Sequence, residues 1–313
     1  MTTKTTKKAS STNKFKIQRH LQLYSLAALP VFLLFLFHYI PLVGIILAFK
    51  NYRYDLGIFG SPWVGFKNFE FFFKTDTFLT ITRNTLLLNG MFIFLIIICS
   101  VALAVTLYRI NSRKATKVYQ TILITPHFVS WVIAAYIIYA FLNPAYGILN
   151  NFLPKIGMAP VDWYAAPKAW PAILAVAYIW KHIGLDCVIY YAALMGMDSS
   201  LIEAAAVDGA TRWQQTRHVI IPQLTILLVI QTILKIGGIF RADFGMFYQL
   251  TRDVGELYST TDVIDTFIFR TMRVVGNMSM GTAVGLLQSF VGFCLVMITN
   301  WASKKVDEDF GLF

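Results

Sequence analysis

The chain has 313 residues, of which 57% are hydrophobic, 15% are aromatic and only 14% are charged, with a formal net charge of +11. Roughly a quarter of the residues of a soluble domain are charged, so this composition excludes an ordinary soluble fold and indicates a protein of the lipid bilayer. Basic segments beside membrane spans set topology, and the positive charge is therefore not taken to indicate a nucleic-acid partner.

Six long apolar runs follow a basic leader. Each is long enough to cross a hydrocarbon core of about 30 Å as a helix of about 20 residues. Lipid offers backbone polar groups no hydrogen-bond partner, and the alternating pattern of a membrane β-barrel is absent from the sequence. We therefore predict an all-α membrane protein with six transmembrane helices. The runs occupy residues 23–49, 84–107, 119–142, 170–195, 221–240 and 282–302.

Lysine and arginine residues predict the orientation of these spans. They are dense in the leader "MTTKTTKKASSTNKFKIQRH" and after the second run, whereas the loop at 143–169 has only Lys155 and Lys168. Short basic segments stay in the cytoplasm, so both termini and the 196–220 segment are predicted to lie inside. The first apolar run greatly exceeds the 7 to 15 residues of a signal-peptide core, so no cleaved signal is expected.

This orientation divides the chain into three parts. Residues 1–22 form a basic cytoplasmic tail, residues 23–302 form the six-span domain, and residues 303–313 form a cytoplasmic C-terminal tail.

The sequence contains no pattern typical of an enzyme. Cys99, Cys187 and Cys294 fall in different spans without metal-ligand spacing, and packing thiols are expected. The five histidines are scattered, with no HExxH motif and no carboxylate cluster beside them. No G-x-x-x-x-G-K-[ST] phosphate loop occurs, so any ATP that drives this protein is bound by another chain. We predict no catalytic residue, no metal site and no cofactor in this chain.

A charged stretch, "EAAAVDGATRWQQTRHVIIPQL", lies between the fourth and fifth apolar runs. Ser200 precedes Glu203 at the spacing of a capping box, which predicts a helix that begins at Ser200 and ends near Val207. The following Asp208-Gly209 pair is a turn signal, and Gly209 can take the left-handed conformation that ends a helix.

A second helix is predicted directly after this turn. Thr211 and Gln214 repeat the capping-box spacing, and the helix would continue towards Pro222 and the fifth span. The two short helices, set at an angle, would form a rigid cytoplasmic projection. An amphipathic segment on the inner leaflet is the alternative, but that needs large apolar residues opposite a basic face. The alanine-rich centre and acidic ends of the first helix favour docking to a protein, with charges at the edges from Glu203, Asp208, Arg212 and Arg217.

This stretch resembles the EAA motif of permease subunits of binding-protein-dependent ABC importers. It departs at Thr216, where the family usually has an aromatic residue, and at Ile221, where leucine commonly precedes the proline; neither change disturbs the glycine turn. The matching positions are Glu203, Ala204, Ala205, Asp208, Gly209, Ala210, Ile220 and Pro222.

Further segments are similar to the sugar permeases associated with oligosaccharide and polysaccharide uptake. The similarity covers nearly the whole chain from about residue 20. It is carried by "LPVFLLFLFHYIPLVGIILAFKNY", "GSPWVGFKNFEFFF", "RNTLLL", "PHFVSWVI", "VIDTFIFR" and the terminal "GLF". The resemblance implies the six-span, MetI-like fold of type I importer permeases in a bacterial cell membrane.

The resemblance also implies a mechanism and a set of partners. In this family the EAA segment is a coupling helix that docks in a cleft of the ATPase subunit, and transport proceeds by alternating access. The implied partners are a second related permease, two ABC ATPase subunits that bind ATP and Mg, and an extracellular or periplasmic sugar-binding protein. The residues expected to couple to the ATPase are Glu203, Ala204, Ala205, Asp208, Gly209, Arg212 and Pro222. We name residues 199–222 the coupling segment.

Polar residues within two spans suggest a substrate pathway. Tyr178, His182 and Asp186 recur at intervals of four and therefore share one helical face. Gln231 and Lys235 are likewise four apart on the fifth span, and Trp180 could add a ring face for a sugar. Ionisable groups in spans usually face a partner or a watery cavity. The alternative is an internal salt bridge, for example between Lys235 and Asp186, that fixes helix packing.

The outer segments at 50–83 and 241–281 are long enough for short interfacial helices. Trp63 and the neighbouring phenylalanines are expected to anchor at the headgroup level, on the side open to a binding protein.

Other function classes are less consistent with the sequence. A secondary transporter should have internal repeats, and a membrane enzyme should have a cluster of catalytic groups; neither is visible. Within the importer class, a peptide or another small solute remains the alternative cargo.

Overall fold

The computed structural model describes residues 24–70 and 74–306, with the backbone alone of Val306. The basic leader, the Phe71–Phe73 run and the terminal GLF, on which part of the predictions rest, lie outside these residues. Within the described ranges the regular structure is helical, apart from one isolated antiparallel bridge between Lys50 and Trp63.

Eleven helices within the described residues build the fold, and they are numbered in chain order. Shorter helical turns, such as Gly57–Gly60, Lys67–Phe69 and Ile148–Phe152, lie in the connections. The labelled helices are α1 (Tyr24–Phe49), α2 (Asp76–Tyr108), α3 (Arg113–Phe128), α4 (Trp131–Leu142), α5 (Pro167–Met195), α6 (Ser200–Val207), α7 (Arg212–Gln223), α8 (Thr225–Gly237), α9 (Phe244–Thr251), α10 (Ile264–Arg273) and α11 (Met278–Val306).

The predicted spans occur in two forms. By length and composition, α1, α2, α5 and α11 can each cross a membrane as one helix, and two bent pairs complete six. The pair α3 and α4 bends by 98°, and the pair α7 and α8 by 61°. The prediction of one helix for each of the runs at 119–142 and 221–240 is therefore wrong, because each run contains a bend between two helices. A proline, Pro126 or Pro222, lies near each break and removes a backbone donor.

The sharper bend has a local cause. Val129 and Ser130 have extended backbone, which ends the helical turn at Thr125–Phe128. The hydroxyl of Ser130 then accepts a hydrogen bond from the Ile133 amide at 3.3 Å and caps α4. The chain thus restarts a helix in a new direction at mid-span.

The helix α2 packs along α5, and α5 also contacts α3. Phe92, Trp170 and Tyr190 are among the fully buried side chains of this contact region. At Gly184, an added Cβ would lie 2.0 Å from the backbone oxygen of Leu123. Only glycine permits α5 and α3 to approach this closely.

The outer segments contain short helices, as predicted, but their bounds differ. The helix α2 begins at Asp76, so the end of the 50–83 segment belongs to the second span. Trp63 is 66% exposed, and the Lys50 ammonium lies 5.1 Å from its ring centroid.

Arg270 of α10 organises the second outer segment. Its guanidinium donates to Asp253 at 2.8 Å and to Asp262, and it lies 4.1 Å from the ring centroid of Tyr258. These contacts fix the connection between α9 and α10.

Candidate functional site

The first helix of the coupling segment has the predicted bounds but not the predicted cap. No side chain caps its start at Ser199, and the capping box between Ser200 and Glu203 is wrong. Asp198 instead accepts from the Ser200 amide at 2.9 Å. Hydrogen bonds from the backbone and side chain of Ser200 hold the pKa of Asp198 below its ordinary value. This carboxylate, one residue before the cap position, accepts from the Ser200 amide in the role that the pattern assigned to Glu203.

The turn after α6 is a Schellman motif. The Ala210 amide donates to the Ala205 oxygen at 2.9 Å, and the Gly209 amide donates to the Ala206 oxygen at 3.1 Å. Gly209 has a φ of +78°, which confirms the predicted left-handed conformation. The direction of α6 relative to α7 therefore depends on a backbone conformation that glycine adopts without strain.

The second capping box is present as predicted. The Gln214 amide donates to the Thr211 hydroxyl at 3.3 Å, and the Thr211 amide donates to Gln214 Oε1 at 2.7 Å. The helix continues as α7 to Gln223, and the segment Thr216–Ile220, just before Pro222, is π-helical. Since α8 follows at once, the coupling segment is joined directly to the fifth span.

The outer surface of the coupling segment has no partner among the residues that the structure describes. Glu203, Ala204, Asp208 and Arg212 are exposed, Ala205 is half-buried, and in the described part of the chain none of the charged members forms a salt bridge. Two large apolar side chains are also exposed, Val207 at 88% and Trp213 at 68%. These apolar side chains and charges are accessible to a partner protein.

Arg109 contacts the coupling segment, a connection that the sequence did not reveal. It lies directly after α2, in the basic segment that predicts the orientation of the spans. Its Nη2 donates to the backbone oxygen of Arg212 and to the Thr216 hydroxyl, both at 2.6 Å. Thr216 is the position at which the EAA pattern departs from its usual aromatic residue. The coupling segment is thus connected to the second span through Arg109, and to the fifth span through the continuous chain.

A polar cluster lies where α3, α4, α5 and α9 meet. Lys181 is only 7% exposed, and its ammonium donates to the backbone oxygens of His127, at 2.9 Å, and Val129. These oxygens lie at the break between α3 and α4, where helical partners are lost. Lys181 therefore stabilises the bend, and its charge lies 5.1 Å from the ring centroid of Trp131.

Trp131 connects this bend to α9. Its indole Nε1 donates to Asp243 Oδ2 at 2.6 Å, while Asp243 Oδ1 accepts from the Met246 amide at 3.2 Å. Asp243 is the N-terminal cap of α9. Sequence reasoning missed Lys181, Trp131 and Asp243, because their contacts join residues far apart in the chain.

Two of the predicted pathway residues belong to this cluster. The rings of Tyr178 and His182 have centroids 4.6 Å apart, and His182 lies 5.7 Å from His127. Phe92 stacks on Tyr178 at 4.8 Å. Within the described residues, His182 Nε2 and His127 Nδ1 are buried without a hydrogen-bond partner. Unpaired buried nitrogens are costly, and they suit a hydroxyl-bearing ligand or water.

Asp186 and Lys235 form the predicted alternative, an ion pair. The Lys235 ammonium lies 2.8 Å from Asp186 Oδ2, with side-chain exposures of 20% and 14%, and it joins α8 to α5. Gln231, one turn earlier on α8, is half-buried. Trp180 is 39% exposed and lines a separate apolar cavity with residues of α4, so the structure does not bring it to Tyr178.

The coupling segment is thus joined to two spans, and a polar cluster lies at a broken span. Residues 96–308 match the family of binding-protein-dependent transport system inner membrane components. The chain belongs to this family. Family membership confirms the predicted resemblance and identifies the six-span, all-α architecture as that of a membrane permease.

Two proteins from Bacillus subtilis (strain 168) match along most of the chain. Protein LplB is 32% identical over 289 residues, which are 92% of this chain and 90% of LplB. The polygalacturonan/rhamnogalacturonan transport system permease protein YteP is 33% identical over 296 residues, which are 93% of this chain and 90% of YteP.

The fold is also similar to that of solved family structures. A chain from a bacterial ABC transporter involved in the import of the acidic polysaccharide alginate superposes with a TM-score of 0.84 at 30% identity, over 93% of this chain and 98% of that one. A second structure, of the alginate transporter with an alginate pentasaccharide-bound periplasmic protein, gives 0.83 at 30% identity, over 93% and 96%.

Proposed function

We propose that this chain is one of two permease subunits of an ATP-driven importer that moves an oligosaccharide or a polysaccharide fragment across the bacterial cell membrane. The observation that carries the proposal is the coupling segment, with its left-handed turn at Gly209 and its direct connections to α8 and, through Arg109, to α2. The relatives with sugar polymers in their names support the choice of cargo.

The mechanism we propose is alternating access. Two ATPase subunits bind ATP and Mg, and closure of their dimer displaces the coupling segment that is docked in a cleft of one of them. Glu203 and Asp208 would face basic or donor groups of the ATPase. Because α7 continues into α8 and is also bonded to the end of α2, a displacement of the coupling segment would move two spans together.

The cargo pathway we propose passes the polar cluster. Sugar recognition needs hydrogen-bonding groups beside ring faces, and Tyr178, His182 and Trp131 provide both. The ion pair of Asp186 and Lys235 is assigned to helix packing, while Gln231 on the same face of α8 remains free to contact cargo.

The composition of the complex tests the proposal. After affinity purification in mild detergent, native mass spectrometry should find this chain with one related permease and two ATPase subunits. Both termini and the coupling segment should be accessible from the cytoplasm. A complex without an ATPase, or two copies of this chain alone, would contradict the proposal.

Substitution of Gln231 tests the cargo pathway. Gln231→Ala removes a donor and an acceptor without leaving a buried charge unpaired, and a hydrogen bond contributes roughly 0.5 to 1.5 kcal/mol. The half-saturation concentration for cargo should therefore rise by up to about tenfold. Uptake should be measured at fixed binding-protein concentration in complexes matched for expression. An unchanged half-saturation concentration and maximal rate would remove Gln231 from the pathway, and uptake of a peptide or small solute instead would identify the alternative cargo.

A further inference from the structure

A second cavity lies between α4 and α9, apart from the polar cluster. It has a volume of about 370 Å³ and is lined by Val132, Ala135, Tyr136 and Tyr139 of α4 and by Tyr248, Gln249 and Arg252 at the end of α9. Ligand pockets begin at about 300 Å³ and combine ring surfaces with a few polar groups. Three tyrosine rings, one amide and one guanidinium fit that description.

Arg252, the cation of this cavity, has no carboxylate partner among the described residues. Arg252 is exposed, its guanidinium carbon lies 4.3 Å from the ring centroid of Tyr139, and it forms no salt bridge with any described residue. The nearby carboxylates Asp253 and Asp262 are both paired with Arg270. The charge of Arg252 therefore remains available to an anion that enters the cavity.

The backbone fixes the position of Arg252. Arg252 and Asp253 have φ angles of 57° and 53°, a left-handed conformation that costs a non-glycine residue free energy. Asp253 is held there by Arg270 at 2.8 Å and by the Tyr258 hydroxyl at 3.0 Å. The chain is thus locked in the conformation that places Arg252 over Tyr139.

The cavity and the polar cluster share one wall. The helices α4 and α9 both begin at the hydrogen bond between Trp131 and Asp243, and the cavity extends from the first turn of α4, at Val132, to the end of α9, at Arg252. The 8 residues of α9 span about 12 Å. A cargo longer than one sugar unit could contact both places, since the predicted topology directs α4 outward.

We propose that this cavity binds the carboxylate of an acidic, uronic-acid-type sugar unit and that Arg252 determines specificity for charged cargo. The planar guanidinium donates two parallel hydrogen bonds to a carboxylate, and the tyrosine rings provide surfaces for the sugar. The inference rests on the proposed function, and it adds a chemical class of cargo and a residue that selects it.

The test compares charged and neutral cargo in the assembled transporter. Equilibrium binding to the ATP-free complex in vesicles is measured for trigalacturonate, for an alginate trisaccharide, and for the same trisaccharides after reduction of their carboxylates to hydroxymethyl groups. Arg252→Gln should weaken binding of at least one charged trisaccharide by about 10- to 150-fold, the loss of a charge-assisted hydrogen bond. The reduced forms should change by less than about threefold.

Two further variants isolate the geometry from the charge. Arg252→Lys keeps the charge but loses the paired donors, and it should fall between Arg252→Gln and the wild type. Arg273→Gln removes an exposed charge from the same outer segment but outside this cavity, and binding should be unchanged.

Each other outcome contradicts the inference. Equal weakening of charged and reduced trisaccharides would assign Arg252 to packing, and an equal effect of Arg273→Gln would assign it to general electrostatics. An effect present only in vesicles with anionic lipid would identify a headgroup site. If the wild-type complex binds charged and reduced trisaccharides equally, only the inference fails; if it neither binds nor imports any oligosaccharide, the proposed function fails first.

Discussion

Gly209→Val is the sharpest perturbation of the coupling segment. The φ of Gly209 is +78°, and a Cβ added there meets no described atom within 4 Å, so the added Cβ introduces no steric overlap. The cost is confined to the left-handed backbone conformation, which is about 1 to 3 kcal/mol for a non-glycine residue. That free energy corresponds to a change of about 5- to 150-fold in an equilibrium.

The loss should appear in the docking of the ATPase. If docking requires the Schellman turn, the affinity of the ATPase for the permease pair falls by this factor, while insertion into the membrane is unchanged. Binding of labelled ATPase to permeases in lipid nanodiscs measures the affinity, and ATP-driven uptake measures its consequence. Gly209→Asn should remain near the wild type, because asparagine tolerates the left-handed conformation.

Gly157→Val supplies the matched control. Gly157 has a φ of +82° and equally open surroundings, but it lies after the turn at Leu153–Ile156, in the loop between α4 and α5. Gly157→Val therefore imposes the same backbone strain away from the coupling segment, and the affinity of the ATPase for the permease pair should be unchanged. Wild-type affinity and uptake in Gly209→Val, or an equal loss in Gly157→Val, would refute the reasoning.

Three further substitutions test the other contacts. Arg109→Gln should lower the number of cargo molecules imported per ATP hydrolysed, because two hydrogen bonds between α2 and the coupling segment are lost; an unchanged ratio would make Arg109 a topology signal alone. Lys235→Ala should lower the free energy of unfolding by about 3 kcal/mol, since it leaves Asp186 unpaired in a largely buried site. The double variant with Asp186→Ala should recover most of that free energy, and a double variant as unstable as Lys235→Ala would contradict the ion-pair assignment. Gly184→Ala should lower the yield of folded protein, because its Cβ would overlap the backbone of α3, whereas Gly90→Ala, with nothing within 4 Å, should not; equal yields would disprove the close approach.

The length and polarity of the apolar runs were sufficient to predict six spans, because lipid leaves so few backbone solutions. They could not predict which spans bend. The break between α3 and α4 requires extended backbone at Val129 and Ser130, and it is stabilised by Lys181 from another span. A proline marks the neighbourhood of a break, but the size of the bend depends on these tertiary contacts.

The two capping-box patterns show the limit of local reasoning. Thr211 and Gln214 form the expected reciprocal hydrogen bonds, whereas Ser200 and Glu203 do not. The difference is Asp198, a carboxylate two residues before Ser200, which accepts from the Ser200 amide in place of Glu203. A spacing rule does not weigh such competitors.

The candidate site was predictable where one helix carries the pattern. The four-residue interval correctly placed Tyr178 beside His182, and the opposite charges on two spans suggested the pair of Asp186 and Lys235. Arg109 and Asp243 act through partners more than a hundred residues away, and no local pattern contains that information.

ATP-dependent uptake by the reconstituted complex tests the central claim most directly. Vesicles that contain this chain and its partner permease, loaded with ATP and supplied from outside with cargo-bound binding protein, are compared with and without the ATPase subunits. We expect accumulation of the oligosaccharide only when the ATPase is present and ATP is hydrolysed. Equal accumulation by the permeases alone would contradict the claim that this chain transports cargo by coupling to an ATPase.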